Sequence, residues 1–179
     1  SVYSKFIDEI KKYFAQFVLG DPLDSKTTIG PLAKKEFLIE IDKIVKASIK
    51  EGAKLIYGGK INSCFYEPTL LVDVKENMKV FNEETFGPVM CITKAETTIE
   101  AIYLANQSEY GLSSSIWTSD IKKAEKISSE IESGAVFINK LSYSDPRLPF
   151  GGIKKSGYGR ELSKEGIMEF VNKKTIVVS

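Results

Sequence analysis

Segments typical of strands alternate with segments typical of helices along this chain, and this alternation limits the possible folds more than any other feature. Apolar residues recur at helical spacing from Tyr3 to Phe17, and the pattern is already amphipathic over residues 1–12. Short apolar runs bounded by glycine or proline follow, separated by further amphipathic segments. The alternation predicts a layered α/β fold with a largely parallel sheet flanked by helices, in a single domain over residues 1–179.

Start and stop signals set the bounds of these elements. Pro31 is expected in the first turn of a second helix, which ends near Gly52. Thr97 and Glu100 form a capping box for a helix to about Gln107. Two more helices are predicted at 120–131 and 163–170. The second helix carries a predicted apolar face of Phe37, Ile41, Ile44, Val45 and Ile49. Strands are predicted at 53–57, 68–74, 89–93, 112–117, 135–139 and 175–178.

Charge and residue usage argue against several classes of protein. The formal net charge is only +1, which does not favour a nucleic-acid binder, and no apolar run is long enough to cross a membrane. Histidine is absent and there are only two cysteines, so the commonest general base and a zinc site are not expected. With neither a signal peptide nor a disulfide framework, we expect a cytoplasmic protein. Enrichment in lysine and glutamate is a feature of thermophilic proteins.

The longest predicted loop, residues 140–159, directly follows an apolar strand, and long loops in α/β folds often carry function. Its glycines permit tight backbone paths, but their spacing matches neither of the common phosphate-binding patterns. We therefore expect a shaped loop that holds Phe150 and Arg160 in place. A plain surface loop is the alternative.

Two other segments offer groups for binding. Glu84 and Phe86, before a Gly-Pro turn, supply a carboxylate that can accept hydrogen bonds from a ribose and a ring that can pack on a heterocycle. The alternative is a turn with solvated acids. In a chain that favours lysine, Arg147 offers a planar fork for a carboxylate, unless it only forms an internal ion pair with Asp145.

Neither cysteine is placed as a nucleophile. Cys91 lies in an apolar run, where a buried and inert thiol is expected. Cys64 lies in a loop, and no histidine is available to activate it.

At this point the sequence resembles the aldehyde dehydrogenase superfamily. Residues 83–89 are similar to its EE-x-FGPV motif, and residues 150–161 to its FGG-x-K-x-SG-x-GRE motif. Shorter matching pieces occur in the family's order along the whole chain. The loop at 144–149 is most similar to the succinate-semialdehyde dehydrogenase branch.

The resemblance implies roles for named residues. Glu84 corresponds to a residue that binds the nicotinamide ribose, and Phe86 to one that packs near the nicotinamide. Phe150 corresponds to a residue of the substrate tunnel, and the loop containing Ser144 and Arg147 to one that shapes substrate choice. In this setting Arg160 is expected to be structural.

The resemblance covers only the last third or so of a family member. The catalytic cysteine, the activating glutamate and the Rossmann cofactor domain would lie upstream of residue 1. We therefore expect no catalytic residue in this chain and no cofactor bound by the chain alone, although the family uses NAD or NADP. A start at Ser1 fits removal of an initiator methionine, which favours a short paralogue over a proteolytic fragment.

Three functions remain open. The favoured interpretation is a non-catalytic, homo-oligomeric binding or assembly module, in which the predicted terminal strand offers an unpaired edge. Such a module is kept for its surface or as a partner of a full-length relative. The alternative is half of a split NAD(P)-dependent oxidoreductase, completed by a separate chain that supplies the cysteine, the glutamate and the cofactor domain. The third is an autonomous enzyme that uses Cys64 or Cys91.

Overall fold

The computed structural model describes residues 2–179, so Ser1, the first residue of the predicted helical pattern, lies outside the described part. The chain forms two compact units, one ending at Glu96 and one running from Thr97 to Ser179. The single domain expected over the whole chain stays a prediction.

Over residues 2–96 the first unit contains three helices, α1 (Tyr3–Phe14), α2 (Lys35–Lys50) and the short α3 (Lys79–Asn82). The second helix begins four residues after Pro31, later than predicted. Its leading segment is held outside the helix because Leu32 N donates a hydrogen bond of 3.1 Å to Cys64 O. That partner lies 32 residues further on, so no local signal could reveal it.

The buried face of α2 differs from the predicted one. Phe37 and Ile49 are exposed, whereas Ile41, Ile44 and Val45 are buried as expected. Leu38 and Ser48, which the periodicity did not select, complete the buried face. Ser48 can be buried because its hydroxyl accepts a 2.9 Å hydrogen bond from Val80 N.

Five strands complete the first unit: β1 (Lys54–Tyr57), β2 (Ile61–Asn62), β3 (Phe65–Tyr66), β4 (Thr69–Val72) and β5 (Val89–Cys91). Three of them form a sheet in the order β1-β4-β5, and β2 pairs with β3 in a small hairpin. Successive residues of β4 point to opposite faces, and both faces are buried. Leu71 packs in a cluster with α2, and Leu70 packs in a second cluster with Ile10 of α1.

The second unit contains α4 (Thr98–Asn106), β6 (Tyr110–Gly111), β7 (Ser113–Ile116), α5 (Ile121–Ser128), β8 (Ala135–Ile138), β9 (Ile153–Lys154) and α6 (Ser163–Met168). The predicted cap of α4 is confirmed, because Thr97 Oγ1 accepts a 3.1 Å hydrogen bond from Glu100 N. Asp120 caps α5 in the same way, accepting from Lys123 N at 3.0 Å. Strand β7 pairs with β8, and β6 with β9.

The α/β class is confirmed, but the sheets are mixed rather than largely parallel. Among residues 2–179, β4–β5 and β7–β8 are parallel, whereas β1–β4, β2–β3 and β6–β9 are antiparallel. Only two residues separate β2 from β3, which is too short for the crossover that parallel strands require.

The predicted terminal strand at 175–178 is wrong for the described chain. Those residues have no strand partner in the part of the chain that the structure describes, and Ile176, Val177 and Val178 are strongly exposed. An extended apolar segment becomes a strand only when a neighbouring edge supplies its hydrogen bonds. Within residues 2–179, none of the helices combines the length and apolar character needed to cross a bilayer.

Tyr66 makes the first unit sensitive to alkaline pH. Its side chain is 1% exposed, and its hydroxyl has no hydrogen-bond partner among residues 2–179. Burial raises the pKa of Tyr66 to about 12, with smaller contributions from Asp42 and Glu67. The unfolded phenol titrates near pH 10, so the folded state holds its proton more tightly between the two values. This contribution to the free energy of unfolding is complete below pH 10 and is lost as the pH rises towards 12.

Between pH 10 and 12 we expect the free energy of unfolding of the unmodified chain to fall by roughly 2 kcal/mol more than that of the Tyr66→Phe variant, which has no phenol at this position. Urea unfolding followed by circular dichroism across this range measures the difference. Tyr158→Phe is the matched control, because Tyr158 is fully exposed. If the free energy of unfolding falls equally in the unmodified chain and in the Tyr66→Phe variant as the pH rises, the prediction is contradicted.

Candidate functional site

The loop between α3 and β5 holds its backbone tightly while two side chains face outward. Gly87 N donates to Thr85 O at 2.8 Å, and Thr69 N of β4 donates to Pro88 O at 2.8 Å. Glu84 is exposed, and the ring of Phe86 is 75% exposed. The fold of the first unit therefore leaves the Phe86 side chain mostly exposed, although hydrogen bonds hold the backbone around it.

The two carboxylates of this loop are not equivalent. Glu83 forms an ion pair with Lys79 Nζ at 2.9 Å, one turn earlier along α3. Glu84 has no ion pair among residues 2–179, so its carboxylate is open to a ligand's hydroxyl groups. Glu83 is thus a natural control for any role of Glu84.

Arg147 is engaged by Asp145 in a two-point ion pair. Its Nε donates to Oδ1 at 2.9 Å and its Nη2 to Oδ2 at 2.6 Å, while Arg147 N donates to Oδ1 at 3.0 Å. These contacts with Arg147 hold the pKa of Asp145 well below its usual range. The internal ion pair that the sequence left open is therefore formed. The Arg147 side chain is still 84% exposed, so its other N–H groups face solvent.

Phe150 is half-buried at the junction of two cavities in the second unit. Its backbone exchanges two hydrogen bonds with Glu161, at 2.9 and 2.8 Å, which close the glycine-rich loop. One cavity, of about 390 Å³, lies on the side of Arg160 and Tyr158. The other, of about 290 Å³, lies on the side of Tyr143 and includes Asp145. Ser144 and Arg147 line neither cavity.

Arg160 and Lys154 hold the glycine-rich loop in place through hydrogen bonds to backbone carbonyl groups. Arg160 Nη1 donates to Gly152 O at 3.0 Å and to Gly159 O at 2.7 Å, as a structural role requires. Lys154 Nζ donates to Asn106 O at 2.7 Å and to Ser108 O at 3.1 Å at the end of α4.

Sequence reasoning missed this role of Lys154. Its Nζ also pairs with Glu132 at 2.7 Å, and its backbone has a φ of 54°, which is strained for a residue with a side chain. Its position inside the FGG-x-K-x-SG-x-GRE pattern was the only signal.

Aromatic rings line part of the second cavity. The Phe137 and Tyr143 ring centroids lie 5.5 Å apart at a tilted angle, and Lys140 Nζ donates to the Tyr143 hydroxyl at 2.9 Å. The structure thus brings Phe150 together with residues that follow or belong to β8. Glu84 and Phe86 belong to the first unit.

The cysteines differ from expectation in one respect. Cys91 is exposed rather than buried, because β5 ends the strand order of its sheet. Although the residue as a whole is exposed, its sulfur is part-buried 3.8 Å from Val80 O, and this burial of the thiol raises the pKa of Cys91, which disfavours the reactive thiolate. Cys64 is exposed. No group of three or more potential metal-ligating side chains occurs in the described chain.

Comparisons with known proteins place the chain in a family. Residues 1–176 match the aldehyde dehydrogenase family. The chain is 45% identical, over 99% of its length, to an aldehyde dehydrogenase of Paenarthrobacter nicotinovorans. It is 44% identical, over its full length, to a probable NADP⁺-dependent succinate-semialdehyde dehydrogenase of Synechocystis.

A solved structure agrees with these relatives. Succinic semialdehyde dehydrogenase of Streptococcus pyogenes, in complex with NADP⁺, superposes on 99% of this chain with a TM-score of 0.94 and 38% identity. The chain spans only 40% of that structure and 40% of each of the two sequence relatives. The family match over nearly every residue and the shared fold together show that this chain belongs to the aldehyde dehydrogenase family.

Proposed function

We propose that this chain supplies part of the active site of an NAD(P)-dependent aldehyde dehydrogenase of the succinate-semialdehyde type. The observation that carries the proposal is the exposure of Phe86 and Glu84 on a loop whose backbone is anchored at both ends. Because hydrogen bonds hold the backbone of this loop, the Phe86 ring and the Glu84 carboxylate start from fixed positions at which a ligand outside their own unit can reach them. In this proposal the remaining part of an aldehyde dehydrogenase polypeptide completes the site.

The described residues fit one end of a nicotinamide cofactor. The exposed Glu84 carboxylate can accept hydrogen bonds from ribose hydroxyls, and the Phe86 ring can pack on a flat heterocycle. The glycine-rich loop at 150–161 does not fit the phosphates, because Arg160 is bound to that loop's own carbonyls. When bound, the cofactor accepts a hydride from the aldehyde carbon. This chain's share is to position the nicotinamide ribose and to keep water away from the ring.

The substrate assignment rests on the similarity to the succinate-semialdehyde dehydrogenases of Synechocystis and Streptococcus pyogenes and on the loop after β8. Phe150 supplies an apolar wall, and Ser144 supplies an exposed hydroxyl. Arg147 uses Nε and Nη2 on Asp145, which fixes its guanidinium and leaves Nη1 for a substrate carboxylate. We propose these three residues as the part of the substrate pocket that this chain contributes.

A complementation assay tests the proposal. The chain is co-expressed with the part of the Synechocystis relative that lies outside the match, and NADPH formation from succinic semialdehyde is followed at 340 nm. We expect no turnover by the purified chain alone and clear turnover by the pair. Turnover by the chain alone after stringent purification would overturn the proposal, as would a stable pair without activity.

Two variants sharpen this assay. Glu84→Gln is expected to lower turnover of the pair by about tenfold or more, because it removes a charged acceptor from the ribose site. Glu83→Gln is the matched control, since Glu83 already pairs with Lys79. Equal losses in both variants would argue against a specific role for Glu84.

A second candidate function is the non-catalytic, homo-oligomeric module. The strongly exposed Ile176, Val177 and Val178 favour it, because a run of exposed apolar residues promotes self-association. Light scattering during size-exclusion chromatography of the same purified chain decides between the candidates. A stable oligomer that neither binds the complementary part nor affects its activity would favour the module.

A further inference from the structure

The loop that carries Glu84 and Phe86 is tied at both ends to the core around α2. Val80 belongs to the core cluster that includes the buried face of α2, and Phe81, just before the loop, packs against that cluster. Val89, just after the loop, packs against the same cluster. Glu84 and Phe86, between these two points, are exposed. The position of the exposed pair therefore depends on what supports the middle of the loop.

That support is a contact between Gly87 and Ile41 of α2. A Cβ built on Gly87 would lie 2.4 Å from Ile41 Cδ1 and 3.6 Å from Ile41 Cγ1. A carbon–carbon bond is only about 1.5 Å long, so Ile41 Cδ1 is in van der Waals contact with the Gly87 backbone. Ile41 is 3% exposed and lies in the core cluster. Because Gly87 directly follows Phe86, this contact sets the distance of the Phe86 backbone from α2.

The hydrogen bonds of Gly87 lie within the loop itself. Gly87 N donates to Thr85 O, and Gly87 O accepts from Val89 N, both at 2.8 Å. Bonds between such close neighbours shape the loop, but they move with it when the loop tilts about its anchored ends. Beyond the chain neighbours of Gly87, Ile41 Cδ1 is the atom nearest to the position of its missing Cβ, and Leu32 Cδ1 follows at 3.9 Å.

We propose that Ile41 is a positioning residue for binding of the nicotinamide cofactor. Its δ-methyl group supports Gly87 and thereby holds the Phe86 ring and the Glu84 carboxylate where the cofactor contacts them. A close-packed core resists displacement more than an exposed loop does, so a change at this contact moves the loop. The inference rests on the proposed function and adds a core residue that acts on the cofactor through the loop.

Two matched substitutions on α2 separate positioning from a loss of stability. Ile41→Val removes the δ-methyl group that touches Gly87. Ile44→Val removes the same group from a residue of the same cluster that is 4% exposed. We expect a similar small fall in the midpoint of urea unfolding for both variants. In the co-expressed pair, only Ile41→Val should raise the apparent KM for NADP⁺, by about fivefold or more, with kcat nearly unchanged.

A compensating pair of substitutions tests the contact itself. Gly87→Ala places a methyl group 2.4 Å from Ile41 Cδ1, and the φ of Gly87 lies outside the left-handed region, so the clash and not the backbone conformation displaces the loop. We expect this variant to raise the KM for NADP⁺ by about tenfold or more. Adding Ile41→Val leaves Cγ1 at 3.6 Å, an ordinary contact, and should restore the KM to within about threefold. Adding Ile44→Val should not restore it.

Hydrogen exchange in the chain alone gives a readout that needs neither cofactor nor turnover. The amides of Gly87 and Val89 form the two turns of the loop. We expect Ile41→Val to speed their exchange by about fivefold or more and Ile44→Val to leave it unchanged. Exchange that responds equally to the two variants would show that Ile41 does not hold the loop and would overturn the inference.

The two proposals can fail separately. Equal KM values for the Ile41→Val and Ile44→Val pairs, or no rescue of Gly87→Ala by Ile41→Val, would overturn the positioning role while the proposed function stands. A pair without turnover refutes the proposed function and the cofactor role of Ile41 with it, and the exchange rates then decide whether Ile41 still holds the loop.

Discussion

Gly134→Ala is expected to destabilise the chain by about 3 kcal/mol or more, because the new methyl group has no space. A Cβ at Gly134 would lie 1.7 Å from Gly151 O, 2.8 Å from Gly151 C and 3.1 Å from Leu112 O. All three atoms belong to the backbone, which cannot move aside as the end of a flexible side chain can. Gly134 N is itself bonded to Gly111 O at 3.0 Å, so the glycine cannot shift away without losing that bond.

The same substitution should disturb the proposed site. Gly151 directly follows Phe150, so displacing it changes the position of the Phe150 ring and the shape of both cavities. Urea unfolding of the full chain measures the loss of stability, with Lys122→Ala on the exposed side of α5 as the control. A loss below about 1 kcal/mol would show that the two backbone segments are not packed this closely.

Leu71→Ala is expected to cost about 3 kcal/mol, within the range for removing a buried leucine side chain. Leu71 is 0% exposed on the central strand β4 and packs against the buried face of α2. Strands border it on both sides, so its surroundings can collapse only partly into the space left behind.

Its matched control lies directly opposite on the neighbouring strand. Leu55 of β1 pairs with Leu71 in register but is 41% exposed, so Leu55→Ala should cost about 1 kcal/mol or less. Both variants are compared by denaturant unfolding, and the slope of the transition should stay unchanged. Equal losses for the two variants would mean that β4 is not the centre of the core.

Features that depend on nearby residues were predictable. The Thr97 cap needs only its own hydroxyl and a backbone N–H three residues away, and the structure confirms it. The ion pair between Asp145 and Arg147 spans two residues, and the sequence already offered it as an alternative. The family and the α/β class were also recognised from motif order, and the comparisons confirm both.

Features that depend on distant residues were not predictable. The late start of α2 follows from a bond between Leu32 and Cys64, and the burial of Ser48 follows from its bond to Val80. The strand predicted at 175–178 failed because apolar periodicity specifies a tendency to extend and not the presence of a partner edge.

The sequence by itself therefore determined the family, the class of fold and the segments that carry the candidate site. Motifs and helix caps depend only on residues that are close together in the chain, so they can be recognised without the tertiary structure. Tertiary structure alone decided which strands pair in parallel and that the Phe86 ring is exposed. It also decided that Gly134 must leave room for Gly151, and that Phe150 lies between two cavities. These properties depend on contacts between segments that are far apart in the chain, and the composition of one segment does not specify which other segment it contacts.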